Sequence, residues 1–176
     1  MKPRRRSRVG PRARARGRRA APRAARPHMP GYGVPRSRKG LLPWVWAERR
    51  LTRSHDYWLI TVRPGGRPHA MPVWGIWVDG AFYFSTGSKS RKARNLARNR
   101  RCIVCNERAD QAVIVEGVAG TVTDKRLITR LAGPYHVKYK PWKLDPAMGS
   151  IYVVRPRTAF GMYEDRFADA ATRWRF

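Results

Sequence analysis

Apolar residues recur along this chain at two different spacings, and each change of spacing predicts a change of element. In LLPWVWAERRLTRS, Trp44, Ala47 and Leu51 follow a helical period and Pro43 suits a first helical turn. Residues 57–62 are β-branched and aromatic and predict a strand. The PGG run at Pro64, Gly65 and Gly66 predicts a turn, and residues 67–78 a second, long strand. Asp79-Gly80 is the strongest short hairpin signal present, and residues 81–85 form the third strand.

A helix over residues 90–99 comes next, with Ser88 or Ser90 placed to cap it. RCIVCNE reads as a fourth strand and QAVIVEGVAGTVTD as a fifth, with Gly117 and Gly120 permitting bends or bulges. Asp124 caps a helix carrying Leu127, Ile128 and Leu131, which Gly133-Pro134 interrupts or ends. SIYVVRPRTAFGMYE gives a last strand and TRWRF closes the chain. Five to seven strands in hairpin order, with short helices between them, predict a mainly β fold: an antiparallel sheet or a closed barrel.

The second strand is apolar on both faces. Trp74, Ile76 and Val78 alternate with Val73, Gly75 and Trp77, so the strand lies between two layers or between the core and a subunit interface. Gly75 in mid-strand weakens packing unless a flat ring or another backbone must come close.

Composition changes this picture at one end. The 176 residues are 42% hydrophobic, enough for one domain with a core, and carry a net charge of +28. Such a balance points to nucleic acid or an anionic surface. Residues 1–28 hold twelve Lys/Arg and no acid, leaving 27 basic against 11 acidic residues, or +16, for residues 29–176. The Arg/Pro/Ala-rich stretch 1–28 is expected to be a disordered tail. It is either a nucleic-acid-binding arm or an extension ahead of an alternative start at Met29. Residues 29–176 are the expected folded domain. No apolar run approaches a membrane span, and the basic N-terminus lacks the apolar segment of a secretory signal. With only Cys102 and Cys105, a disulfide scaffold is excluded and a cytoplasmic location expected.

The chemistry-bearing residues are sparse. Cys102 and Cys105 form a C-x-x-C, but three residues apart on a strand they face opposite ways, which argues for small buried side chains rather than a metal or redox pair. His28, His55, His69 and His136 are scattered; His69 alone sits near the candidate site. No paired-carboxylate or nucleotide-loop motif stands out, so any catalysis is expected to reside on a bound cofactor. The helix over residues 90–99 is unusual in carrying Arg91, Lys92 and Arg94 at its partially positive end, with Lys89 just ahead. Ser85 and Thr86 end the preceding strand. Hydroxyls, free N–H groups, Arg91 and Lys92 would then converge on one point, as a phosphate requires. The alternative is a solvated basic helix.

These residues also carry a family likeness. RPHAMPVWGIWVDGAFYFSTGSKSRKARNLARN, with VIVEGVAGTVTD and the terminal TRWRF, resembles the pyridoxamine 5'-phosphate oxidase-like flavin and deazaflavin split-barrel proteins. The likeness covers roughly residues 31–176. It implies a six-stranded antiparallel split β-barrel that works as a homodimer, with FMN or coenzyme F420 at the subunit interface. By the same resemblance Ser85, Thr86 and Ser90 lie near the cofactor, and Arg91 and Lys92 bind its phosphate. His69, Met71, Pro72, Val73 and Trp74 run along the ring, mostly through their backbone, and Gly75 fits that approach. Counterparts to the oxidase's pyridoxal-phosphate substrate residues are missing. GYGVP, GLLPWVWAERRL and YHVKYKPW look more like the deazaflavin-dependent reductase branch, with Lys138, Lys140 and Lys143 suited to an oligoglutamate tail. Tyr135, His136, Tyr139 and Trp142 would line the substrate side, or pack a loop over the barrel. The implied function is hydride transfer between F420, or FMN, and a small organic substrate. The rivals are a non-catalytic cofactor-binding protein on the same fold and nucleic-acid binding through residues 1–28.

Overall fold

The computed structural model describes residues 21–176. A short strand β1 (Arg23–Ala25) precedes the helix α1 (Trp44–Arg53). Then come β2 (Asp56–Val62), β3 (Pro68–Val78), β4 (Ala81–Thr86), the helix α2 (Arg91–Arg98), β5 (Arg101–Asn106) and β6 (Gln111–Thr121). The chain ends with α3 (Lys125–Lys138), β7 (Ser150–Tyr163), α4 (Phe167–Ala170) and β8 (Thr172–Arg175). Strands neighbour one another in the order β7-β4-β3-β2-β5-β6, and β6 pairs again with β7. All pairings are antiparallel, so six strands close into the expected barrel.

Local chemistry explains the closure. At the β3–β4 turn Asp79 has φ 51° and Gly80 φ 72°, the pair of positive values a two-residue hairpin requires. The β6–β7 register shifts between Glu116 and Gly117, placing the anticipated irregularity at Gly117. Inside the barrel Leu59, Val73, Phe82, Phe84, Val104 and Val115 are buried, and α1 and α2 add Ala47, Leu51, Ala93 and Leu96 to the same core. Leu131 and Tyr135 of α3 pack on the outer face formed by Ile76, Tyr83, Ile151 and Val153, so β3 is sandwiched as its two apolar faces demand.

Two expectations change. The helix capped by Asp124 does not stop at Gly133-Pro134 but continues to Lys138. Burial of Leu131 and Tyr135 against the sheet outweighs the hydrogen bond that Pro134 forgoes. The expected tail also ends earlier than residue 28. Its first twenty residues lie outside the described ones, but Arg23–Ala25 pairs with β8 and Pro27 is buried. The Arg26 guanidinium donates to the carbonyls of Ser37, Lys39, Asp169 and Ala171 at 2.5–3.1 Å. Arginine-rich composition hid this, because the stretch gains partners from residues more than 140 positions away.

Candidate functional site

A cavity of about 430 Å³ opens where β3, β4 and α2 meet. Pro72, Val73 and Trp74 of β3 line one side; Ser85 and Thr86 at the end of β4 and Lys92 of α2 line another. Asp56 and Tyr135 complete it. The hairpin register explains Asp56: the β2–β3 pairing sets it opposite Trp74. Tyr135 arrives because α3 covers the outer face of β3.

The start of α2 is built as a donor cluster. Ser90 caps it, its Oγ accepting from Ala93 N at 3.2 Å. The Thr86 hydroxyl donates to the same Ser90 Oγ at 3.2 Å, which ties the strand end to the cap. Arg94 N reaches Ser90 O at 3.1 Å, whereas the amides of Arg91 and Lys92 donate to nothing among the described residues. The first turn holds no acid. Lys92 is half-buried toward the cavity and Arg91 exposed beside it. His69 of β3 lies within the field of both. Its slight desolvation, then the charges of Arg63, Lys92 and Arg91, hold its imidazole below the ordinary histidine value.

Six of the ten expected site residues therefore share one cavity: Pro72, Val73, Trp74, Ser85, Thr86 and Lys92. Ser90 stands one hydrogen bond behind Thr86, and His69 and Arg91 lie near Lys92 without lining the cavity. Met71 is exposed on β3 and is not part of the lining. Asp56 escaped the sequence reading; its signal is the register that the PGG turn imposes.

One local expectation is corrected and two alternatives left open by the sequence are decided. Close approach to Gly75 is taken up by the protein itself, since a methyl group there would overlap the Phe82 ring and lie 2.7 Å from the Tyr83 carbonyl oxygen. Lys138 does not join a basic groove. Its Nζ turns inward to the Tyr57 hydroxyl at 2.7 Å and the Gly75 carbonyl at 2.9 Å, and desolvation brings it down to about 8. Tyr139 is buried, stacked on Trp74 at 5.0 Å, with its hydroxyl accepting from Gly75 N at 2.8 Å and donating to the His55 carbonyl at 2.6 Å. With its hydroxyl engaged in this way, Tyr139 fastens α3 to the barrel and does not line the cavity. His136 lies outside the lining as well, its Nδ1 bonded to the Trp142 carbonyl at 3.1 Å.

Cys102 and Cys105 lie on opposite faces of β5, as their spacing requires. Burial pushes their thiols up to about 12 and about 11, so neither is a ready nucleophile.

A sequence model described as pyridoxamine 5'-phosphate oxidase matches residues 47–164, which span the barrel, the cavity and α3. The chain belongs to the pyridoxamine 5'-phosphate oxidase family. No curated protein sequence matches it. Among solved structures, an F420 reductase is 27% identical with a TM-score of 0.52, over 64% of this chain and 94% of that one. A FAD-binding protein from Mesorhizobium loti is 15% identical (TM-score 0.53; 75% and 94% covered). The heme storage protein HutZ from Vibrio cholerae is 16% identical (TM-score 0.53; 65% and 87% covered). The last two likenesses show the fold alone. For this member of the oxidase family, the cavity joins two kinds of surface. The Ser85 hydroxyl, the start of α2 and the Lys92 cation suit an anionic group, and the β3 segment Pro72, Val73 and Trp74 suits a flat body.

Proposed function

We propose that this oxidase-family protein binds coenzyme F420, or FMN in its place, and transfers hydride between that cofactor and a small organic substrate as a cytoplasmic homodimer. The observation that carries the reading is the shared cavity, in which Ser85, Thr86 and Lys92 face Pro72, Val73 and Trp74. The 27% identity to an F420 reductase favours the deazaflavin.

The donor set fits a phosphate: two unpartnered amides at the start of α2, the Ser85 hydroxyl and the Lys92 ammonium, with no acid in that turn. The cofactor, when bound, supplies the hydride chemistry. Lys92 and Arg91 offset the phosphate charge, and the β3 backbone orients the ring. Tyr135 and Asp56 border the remaining space and are the residues nearest to hand for holding a substrate.

Dimer formation rests on an uncovered apolar face. Trp58 and Ile60 of β2, Ala70 and Pro72 of β3, and Ile103 and Cys105 of β5 lie side by side in register and are at least partly exposed. A second copy would bury them. The cytoplasmic assignment draws on two free thiols and on the finding that no helix among the described residues is long and apolar enough to cross a membrane.

Spectra of the purified protein after adding each cofactor test the reading. Quenched, shifted deazaflavin fluorescence supports F420, and a stable yellow complex supports FMN; unchanged spectra with both overturn it. Turnover of reduced cofactor with candidate acceptors separates an enzyme from a non-catalytic binder on the same fold.

A further inference from the structure

A second cleft, of about 390 Å³, lies toward the other end of α2 and shares no lining residue with the first. Leu96 and Ala97 of α2, Thr121 of β6 and Tyr152 of β7 form its walls, and Arg100 and Arg155 bring two guanidinium groups to it.

Arg100 is fixed rather than trailing in solvent. Its Nε donates to the Ala119 carbonyl at 2.7 Å, and its own carbonyl accepts from Ala119 N at 2.7 Å. Backbone and side chain thus grip the same residue of β6, and the terminal guanidinium nitrogens remain free to serve as a fork. Between the two arginines stands Gly120. A methyl group built on it would lie 3.2 Å from Arg100 Nη2 and 3.6 Å from Arg155 Nη1, so both guanidinium groups border the space of its missing side chain. The third cation of this corner is Arg101, which the β5–β6 and β6–β7 registers align with Val118 and Arg155. Among the described residues neither Arg100 nor Arg155 pairs with a carboxylate.

Two cations that border the same small space repel each other, and an unrestrained surface arginine would swing apart into water. Arg100 cannot do so without giving up its bond to Ala119. Small size at Gly120, immobilisation of one fork and convergence of the other define a receptor for negative charge.

We propose that Arg100 and Arg155, meeting over Gly120, form a binding site for the oxyanion group of a small ligand, a phosphate monoester or a carboxylate, separate from the cofactor cavity. The guanidinium forks take the oxyanion oxygens, Thr121 adds a hydroxyl at the rim, and Leu96 with the Tyr152 ring meets the less polar part of the ligand. The assignment stands whether or not the first cavity holds a flavin or a deazaflavin.

The test is calorimetric titration of the full chain carrying Lys92→Ala, which removes the cavity cation of the first site. Inorganic phosphate is the probe in one arm and succinate in the other, and the stronger binder identifies the source class. Adding Arg155→Ala should weaken binding about ten- to a hundredfold, whereas Arg49→Ala on the exposed face of α1 should leave it unchanged. Gly120→Ala keeps every charge but displaces Arg100, and should weaken binding severalfold in a protein that still melts cooperatively. Absence of saturable binding by either probe overturns the site. Equal loss with Arg49→Ala and Arg155→Ala also overturns it, because net charge alone would then be responsible.

Discussion

The Thr86 hydroxyl lies 3.2 Å from Ser90 Oγ and donates to it, so the last residue of β4 is fastened to the cap of α2. The same Ser90 oxygen accepts from Ala93 N. Strand end, turn and helix start therefore move as one unit, and that unit carries Lys92 into the cavity. Ser90→Ala should cost about 0.5–2 kcal/mol of stability in urea unfolding, with an unchanged fold by circular dichroism. Equal stability would mean the cap is dispensable.

Gly75 is where β3 can least tolerate a side chain. The Phe82 ring occupies the space of its missing methyl group, and the Tyr83 carbonyl lies beside it. Gly75→Ala should destabilise by about 1–3 kcal/mol through overpacking, read as a lowered urea midpoint. A neutral result would contradict the Phe82 placement.

Lys138 gives a pH signature. Burial holds its folded-state value down at about 8, while the unfolded chain keeps the ordinary lysine value of 10.5. Between these values the unfolded state binds the extra proton, so this group's contribution to stability rises with pH from about 8 to about 10.5. The stability difference between the protein and Lys138→Met should therefore shift in favour of the native lysine across that window. Taking the difference removes the opposing contributions of Cys102 and Cys105, whose raised thiol values make folding less favourable as pH climbs past the ordinary thiol range. A flat difference would contradict the buried setting of Nζ.

Trp58 probes the proposed subunit contact. Trp58 is 46% exposed on β2, between Pro72 of β3 and Cys105 of β5 in the registers. Trp58→Glu should convert a dimer into a monomer in sedimentation equilibrium, since a buried unpaired carboxylate is strongly disfavoured. A dimer of unchanged affinity would move the interface elsewhere.

Much of the barrel was legible because each strand carries its own signal. Asp79-Gly80 announces the β3–β4 hairpin, the alternation across Trp74 and Gly75 announces a strand covered on both sides, and the pair Ser88 or Ser90 announces the start of α2, which Ser90 caps. Contacts made across long sequence separations were not legible. Arg23–Ala25 is ordered by β8 and Asp56 enters the cavity by register, neither of which a local window records. Lys138 looked like a surface cation in YHVKYKPW, but the depth of α3 on the sheet turns it onto Tyr57 and Gly75. Continuation of α3 through Pro134 has the same cause: packing of Leu131 and Tyr135 decided what local propensity opposed.

The most direct test is a titration of coenzyme F420, and of FMN, into the protein, Lys92→Ala and Arg98→Ala. Lys92 lines the cavity, and Arg98 sits in the last turn of the same helix and outside the lining. Loss of a charge-assisted bond should cost Lys92→Ala about 1.5–3 kcal/mol, roughly ten- to a hundredfold in affinity, with Arg98→Ala close to the parent. Equal affinities for the parent and Lys92→Ala would contradict the placement of the cofactor's phosphate at the start of α2.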